Sequence, residues 1–404
     1  MEKTKITLIC DRIALFCLYG IAFFLPISKA IIEVFIYLAI VSFLVKKIIS
    51  RKIPSKIPFN LACFIYLFIC FFSIFISSNP QISIRSFFGK VLTNLTLLFV
   101  VADTLNSERK MKNFIFILAL ASLLLGIDGI YQHFTHRDFI RNRYNLQIPR
   151  IYATFPTPND FGCYLICVIP FILVNLFITF KYKINRFFYA GLFLLLFTCL
   201  ILTVSRGSWF AFIGIMFFMS VWNRSLGLLF LIISIIILAT QKFYYPIFKW
   251  RLDNFFVFQD PSSKDRILMW SAAWKMLMSR PLIGLGLGTF MFNFKNFVAQ
   301  GYLYSAPYAH NCYLQIATEI GIIGLVSFLA ILVVLFFNGI MALNKGEKTF
   351  FWYILLASLA AILGFCVQMA VDTNFYNLDL GAFLWLIMGI SISAIKNVKA
   401  ELKN

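Results

Sequence analysis

Long apolar stretches separated by short polar segments run along the whole chain. Phe59 to Ser77, Phe114 to Ile130, Phe187 to Val204 and Leu226 to Thr240 approach or reach the roughly 17 to 25 apolar residues that a helix needs to cross a bilayer. Because this pattern recurs throughout, it predicts an all-α polytopic membrane protein with about twelve transmembrane helices, in a single transmembrane domain over residues 1–404. The predicted helices cover residues 12–27, 30–45, 59–77, 86–102, 113–130, 161–180, 187–204, 207–222, 226–243, 311–338, 350–370 and 380–395.

The first apolar run, Ile13 to Pro26, follows a charged start, Met1 to Lys5, and so could be taken for a secretory signal. No small-residue cleavage site of the A-x-A kind follows it. We therefore interpret this run as the first membrane helix.

The connections between the predicted helices differ in charge and length on the two sides of the membrane. An even number of spans places both termini on one side, and the short basic connections on that side indicate the cytoplasm. These connections are Lys46 to Lys56, Asn106 to Lys112, Lys181 to Arg186, Asn223 to Arg224, Lys345 to Lys348 and the tail from Lys396. On the outer side, the connections at 131–160 and at about 244–310 are much longer. The pattern predicts a working face outside, with a short helix at about 264–279 that is capped by Ser262 or Ser263.

Composition supports the membrane assignment. Hydrophobic residues make up 61% of the 404 residues and charged residues only 13%, against roughly 25% charged in soluble domains. A water-soluble fold is therefore excluded. The net charge of +20 indicates a partner such as nucleic acid only if the charges lie on one side of the membrane, so the topology has to be assigned first. The nine cysteines lie mostly in apolar runs without a CxxC pair, so they indicate neither a disulfide framework nor a metal site.

Three residues place strongly polar groups beside apolar helices on the predicted outer face: Arg206, Arg266 and His310. Arg206 lies in a turn too short for an ordinary loop. Arg266 lies in the first turn of the loop helix, where the helix dipole disfavours a cation and favours an anionic ligand. His310 lies where the long loop re-enters the bilayer, and histidine is the usual side chain for moving a proton. Arginine, in turn, binds phosphate oxygens bidentately.

Each of these residues also has a simpler interpretation, which the local sequence leaves open. Arg206 can extend its side chain to the lipid headgroups, as arginines at helix ends commonly do. Arg266 can belong to a solvated helix face, and His310 can be a hydrogen-bonded interfacial histidine.

Carboxylates are scarce on this face, so a hydrolase with two catalytic carboxylates or a metal site built from them is poorly supported. The candidates are Asp160, Asp265, Asp372 and Glu319. Glu319 lies inside a predicted span, nine residues after His310, and is interpreted as a helix-packing or hydrogen-bonding residue.

Four segments around these residues resemble motifs of the O-antigen ligase and polymerase superfamily, membrane glycosyltransferases that use glycans carried on undecaprenyl pyrophosphate. The segments are Arg150 to Phe155 with Pro158 to Asp160, Thr203 to Gly207, Asp265 to Trp270 with Pro281 to Gly288, and His310 to Gly321. Their order, spacing and common face carry the resemblance, which spans about 150–325. The flanking regions agree only in hydropathy and number of helices.

The resemblance implies a large extracytoplasmic loop over a lateral, lipid-accessible cavity, with no metal, no other cofactor and no nucleotide sugar. In that setting Arg206 and Arg266 would stabilise the departing pyrophosphate, and His310 would act as the base for the acceptor hydroxyl. Single displacement would invert the anomeric centre. Arg150, Asn159 and Asp372 are weaker candidates for substrate or structural hydrogen bonds at the cavity rim.

The leading hypothesis is an O-antigen ligase of the bacterial inner membrane, which moves a glycan from undecaprenyl pyrophosphate to a sugar of the lipid A core at the periplasmic face. The main alternative is an O-antigen polymerase, which uses the same donor but a second lipid-linked glycan as acceptor. A protein oligosaccharyltransferase is less well supported, because the chain is short and lacks an added C-terminal domain. A secondary transporter or lipid flippase also fits twelve helices, but no internal repeat is visible and the polar residues gather at one face.

Overall fold

The computed structural model describes residues 2–51, 59–146, 149–178, 183–225, 227–229, 232, 261–298 and 308–402. The first half of the chain forms α1 (Glu2–Phe24), α2 (Lys29–Ser50), α3 (Phe59–Phe72), α4 (Pro80–Ser86), a π-helical turn (Phe87–Leu92), α5 (Thr93–Thr104), α6 (Glu108–Thr135), α7 (Pro158–Ile178) and α8 (Lys183–Leu202). The second half forms α9 (Arg206–Trp222), α10 (Pro261–Ser279), α11 (Phe290–Phe294), α12 (Cys312–Lys345), α13 (Phe350–Met369), a 3-10 turn (Asn374–Tyr376) and α14 (Leu378–Glu401). No strand forms within these ranges.

Eleven of the twelve predicted helices coincide with a described helix, and the ninth, 226–243, lies largely outside the described residues. Within the described residues, seven helical elements are long and apolar enough to cross a membrane. These are α1, the continuous α4–α5 element, α6, α7, α12, α13 and α14. Three shorter apolar helices, α3, α9 and the Arg186–Leu202 part of α8, accompany them. The part of the chain that the structure describes is therefore that of a helical, multi-pass membrane protein, whereas the count of twelve spans stays a prediction.

Three of the predicted helices differ in detail from those observed. The helix predicted for 86–102 begins at Pro80, because Pro80 occupies the first helical position and the Asn79 side chain caps it by accepting from the Ile82 N–H. It also contains the π-helical turn, which an apolar pattern does not reveal. The helix predicted for 311–338 is broken at Ile320 and Gly321, whose backbone angles are not helical. The loop helix α10 begins at Pro261, so Ser262 and Ser263 lie inside it and the predicted serine cap was wrong.

The centre of the bundle is formed by α7, α13 and α14. In the most apolar window of α14, 94% of the residues are buried, compared with 33% for α1 at the periphery. Most buried apolar side chains form one continuous core. A smaller second core lies under α10 and contains Met269, Met276, Leu285 and Phe290. All nine cysteines are free and eight are buried, in agreement with their interpretation as apolar helix residues.

The two ends of the bundle carry different chemistry. At one end, which we call the site end, α6, α8 and α13 finish while α7, α9 and α14 begin. The opposite end carries the short basic connections, and there Lys46 and Lys47 donate to Asp103 at 2.7 Å each. The termini of helices far apart in the chain therefore meet at the site end, where the candidate site forms.

Candidate active site

A polar cavity of about 470 Å³ opens at the site end. Four segments line it: the connection from α6 to α7, the α8–α9 turn, the start of α10 and the end of α13. Five of the six predicted site residues lie on its wall: Arg150, Asn159, Arg206, Arg266 and Asp372. The sixth, His310, contacts Asp372. Residues separated by up to 222 positions in the chain are therefore brought to one place.

The α8–α9 turn holds Arg206 at the first position of α9, facing the cavity. Val204 before it has a φ of 50°, a left-handed conformation that is rare for a β-branched residue and persists only where the surroundings enforce it. A Cβ atom at Gly207 would lie 2.7 Å from Val371 Cγ2 and 2.8 Å from Gln368 Oε1. The turn thus needs glycine next to Arg206, which explains the Arg-Gly pair of the motif.

Arg150 connects this turn to the start of α7. Its Nε donates to the Thr203 carbonyl at 2.9 Å, and its Nη2 donates to Asn159 Oδ1 at 2.9 Å. These bonds fix the guanidinium group at the cavity wall and support the turn that carries Arg206. Arg150 and Asn159 therefore have a structural role beside any contact with a substrate.

Arg266 is placed by an unusual junction between α10 and α12. The break at Gly321 frees carbonyl groups of α12, and the chain after α10 bonds to them: Leu285 N–H donates to the Thr318 carbonyl at 3.0 Å and Gly286 N–H to the Glu319 carbonyl at 2.8 Å. In return, Ile322 N–H donates to the Pro281 carbonyl at 2.8 Å. The helix that carries Arg266 and the helix that follows His310 are consequently fastened together.

Glu319 supports the same junction, as its sequence position led us to expect. The side chain is buried, and its Oε2 accepts from the Gly288 N–H at 2.8 Å and from the Tyr376 hydroxyl at 3.3 Å. Its Oε1 accepts from Gln315 Nε2 at 3.2 Å. Glu319 therefore connects the glycine turn to the segment between α13 and α14.

The apolar residues of α10 lie on two different sides of the helix. Met269 and Met276 are buried in the second core, with only 7% and 1% of their surfaces exposed. Trp274, in contrast, is 57% exposed. One side of α10 thus packs on the protein, and the other side is free to contact lipid headgroups.

His310 and Asp372 form a hydrogen-bonded pair, with His310 Nδ1 3.2 Å from Asp372 Oδ1. Asp372 Oδ1 also accepts from the Thr373 N–H at 2.8 Å, and the Asp372 carbonyl accepts from Cys312 Sγ at 3.0 Å. Asn311 caps α12 by accepting from the Leu314 N–H at 3.0 Å. The aspartate is thus buried and held from several sides, while a third of the His310 side chain stays exposed.

The charge on Asp372 determines which ring nitrogen of neutral His310 carries the proton and which carries the lone pair. Burial by itself raises the pKa of Asp372, but the hydrogen bond and charge of His310, the charge of Arg266 and the Thr373 N–H together hold that pKa below its usual value of 3.8. An ionised carboxylate only accepts, so Nδ1 of His310 must carry a proton. In neutral His310 the lone pair is then on Nε2, away from Asp372, where it can accept a proton from a bound hydroxyl group.

Asp160 holds the segment that carries Asp372. Its Oδ1 accepts from Asn374 Nδ2 at 2.9 Å and from Asn377 Nδ2 at 2.6 Å, and Thr157 Oγ1 donates to its Oδ2 at 2.8 Å. The sequence identified Asp160 as one of a few outer carboxylates and as the end of a motif segment, without assigning it a role. Neither asparagine was predicted, because both lie more than 200 residues away from Asp160 in the chain.

Gln368 is a cavity residue that the sequence did not single out. It lines the cavity from the last turn of α13, and its Oε1 accepts from Ser208 Oγ at 3.4 Å. The available signal was a glutamine within an otherwise apolar helix.

The fold and the site define a multi-pass membrane protein with a cavity at one end of its bundle, lined by three arginines and adjoining a histidine–aspartate pair. Residues 191–329 match a family model described as O-antigen ligase. This match confirms the resemblance to the O-antigen ligase and polymerase superfamily, and it includes Arg206, Arg266 and His310. A comparison with curated proteins found no match.

Proposed function

We propose that the protein is a membrane glycosyltransferase of the O-antigen ligase type. It transfers a glycan from undecaprenyl pyrophosphate to a sugar hydroxyl of the lipid A core, at the periplasmic face of the bacterial inner membrane, with inversion and without a metal. The observation that carries the proposal is the convergence of Arg206, Arg266 and the His310–Asp372 pair on one polar cavity. The family match over residues 191–329 supports it independently.

The arginines fit the donor's leaving group. When the bond from the anomeric carbon to the pyrophosphate oxygen breaks, negative charge develops on that oxygen. Arg206 and Arg266 approach the cavity from different helices, so both guanidinium groups can donate to pyrophosphate oxygens. Their stabilisation is greatest as the charge develops, which is what acceleration of the bond cleavage requires.

The histidine–aspartate pair fits the acceptor. A sugar hydroxyl is a weak nucleophile at neutral pH, and transfer of its proton to His310 Nε2 strengthens its attack on the anomeric carbon. Asp372 then stabilises the resulting imidazolium through Nδ1. Attack from the face opposite the pyrophosphate forms the new glycosidic bond, releases undecaprenyl pyrophosphate and inverts the anomeric configuration.

The first test is the lipopolysaccharide banding pattern of a deletion strain that is complemented with wild type, Arg206→Ala or Arg137→Ala. Arg137 is an exposed arginine in the connection from α6 to α7, outside the cavity, and serves as the matched control. Arg206→Ala should leave core without polymer while the lipid-linked polymer accumulates, and Arg137→Ala should restore the wild-type ladder.

Two other outcomes would indicate a different function. Core that carries a single repeat unit would identify a polymerase, which shares the donor chemistry but uses a second lipid-linked glycan as acceptor. A ladder unchanged by the deletion would overturn both assignments and favour transport.

A further inference from the structure

A second cavity, of about 680 Å³, lies beside the first and takes no part in the chemistry described so far. It is enclosed by α2, the π-helical turn, the start of α5, the 3-10 turn and the start of α14, and we call it the lateral pocket. Tyr66, Val91, Phe375 and Trp385 make most of its wall apolar. Its surroundings on α2 include the exposed apolar residue Val34, so this side of the bundle faces lipid.

The lateral pocket and the polar cavity share a wall. The segment between α13 and α14 contributes Asp372 to the polar cavity and Phe375, Tyr376 and Asn377 to the lateral pocket. Asp372 and Tyr376 are four residues apart, so their Cα atoms lie within about 14 Å of each other. A head group in the lateral pocket would therefore contact the same chain segment that carries Asp372.

Lys90 gives this apolar pocket a positive charge. It lies on the π-helical turn, a rare element that is frequent at functional sites, and its Nζ is 3.5 Å from the Tyr376 carbonyl and 5.8 Å from the centroid of the Tyr376 ring. Among the described residues, no carboxylate lies within 4.0 Å of this ammonium group. Lys90 is exposed, and its charge acts on Glu319 only over a longer distance, so a phosphate group would give this ammonium group a direct anionic partner.

Glu33 lines the same pocket from the first turns of α2. It does not form an ion pair with Lys90 and would repel a ligand that offers only phosphate. A ligand that carries hydroxyl groups beside its phosphate satisfies both side chains, because hydroxyls donate to a carboxylate. Phosphorylated sugars attached to acyl chains have this combination.

We propose that the lateral pocket binds the phosphorylated glycolipid that presents the acceptor sugar, with a phosphate on Lys90, a sugar hydroxyl on Glu33 and the acyl chains along the outside of α2. The assignment of this lipid as the acceptor rests on the proposed transferase function. The binding itself does not, because it follows from the charge and the walls of the pocket.

The test measures retention of bisphosphorylated lipid A by the purified full chain, in neutral detergent, by native mass spectrometry. Lys90→Gln should weaken retention about tenfold, the effect of losing one charged hydrogen bond. Gly89→Leu should weaken it as well, because no atom lies within 4 Å of a Cβ at Gly89 and the larger side chain fills the pocket without a clash. Arg85→Gln removes a positive charge from the end of α4, outside the pocket, and should bind as the wild type does.

Equal retention by the wild type and Lys90→Gln would overturn the proposal, and so would displacement of lipid A by an equal concentration of inorganic phosphate. A glycan-transfer assay separates this inference from the proposed function. If Arg206→Ala loses transfer while Lys90→Gln binds lipid A as the wild type does, the proposed transferase function stands and the lipid site in the lateral pocket is overturned. Binding that depends on Lys90 in a protein without transfer would support the pocket as a lipid site and overturn its assignment to an acceptor.

Discussion

At the residue scale, the pair formed by His310 and Asp372 is the feature on which the proposed chemistry depends most directly. The aspartate is buried and held by the Thr373 N–H as well as by the histidine. The histidine is partly exposed beside the cavity. This arrangement orients the imidazole and leaves its outer nitrogen available to a substrate.

His310→Ala should reduce glycan transfer by roughly 100-fold to 10,000-fold, because this is the usual contribution of a general base. The measurement is the initial rate of release of undecaprenyl pyrophosphate by purified enzyme. His133→Ala, in the last turn of α6, is the matched control and should transfer at the wild-type rate. A rate close to wild type in His310→Ala would remove this residue from the role of base.

Asp372→Asn should reduce transfer by at least about tenfold when measured near pH 8. The asparagine no longer requires a proton on Nδ1, so the fraction of His310 with its lone pair on Nε2 falls. Because the pKa of Asp372 lies below 3.8, the wild-type carboxylate is ionised at this pH. A difference in rate between the wild type and Asp372→Asn then does not arise from protonation of Asp372. Equal rates at pH 8 would show that the carboxylate does not orient the base.

The sequence singled out the strongly polar residues of the candidate site but not the residues that hold them in place. Arg206, Arg266 and His310 stood out because strong polarity is rare beside apolar helices. Gln368 and Asn374 did not, since single amides near helix ends are common and only the fold reveals what they face.

At the element scale, the break in α12 is the main departure from the predicted helices. Gly321 has a φ of 72° and a ψ of 178°, a conformation that is essentially restricted to glycine. A Cβ atom there would lie 2.0 Å from the Leu282 carbonyl oxygen. The hydropathy pattern could not reveal this break, because hydropathy reports how apolar a segment is and not the backbone angles of its residues.

Gly321→Ala should separate the glycine turn from α12 and displace Arg266. The unfavourable backbone conformation alone costs about 1 to 3 kcal/mol, and the clash with Leu282 adds to it. We expect a lower Tm in detergent together with a loss of transfer. Gly214→Ala, in α9, meets open space and should match or slightly exceed the wild-type Tm. A Gly321→Ala protein with wild-type Tm and activity would show that this junction does not position the site.

At the scale of the whole molecule, the polar cavity and the basic connections lie at opposite ends of the bundle. The distribution of lysine and arginine predicts that the basic end is cytoplasmic and that the cavity faces the opposite, extracytoplasmic side of the membrane. Hydropathy was sufficient to predict the helices on which this arrangement rests. It could not predict that α14 occupies the centre, since α1 and α14 are similarly apolar.

This orientation can be tested with single cysteines and a membrane-impermeant maleimide. Arg137→Cys, at the site end, should react in intact spheroplasts, whereas Lys348→Cys, between α12 and α13, should react only after permeabilisation. The wild-type chain is the control and should react weakly, because eight of its nine cysteines are buried. The reverse labelling pattern would contradict the proposed orientation.

The central position of α14 has a consequence for the biogenesis of the protein. This helix packs on α5, α13 and α7, and its buried polar groups find partners there, Ser391 Oγ with Ser358 Oγ and Ser393 Oγ with the Leu105 carbonyl. The ribosome synthesises α14 after every other described helix. Until then, the surfaces of α5, α7 and α13 that pack on α14 stay exposed within the membrane. Insertion factors that shield such helices would therefore be needed until α14 emerges, and a nascent chain stalled before Leu378 should be a substrate for membrane proteases.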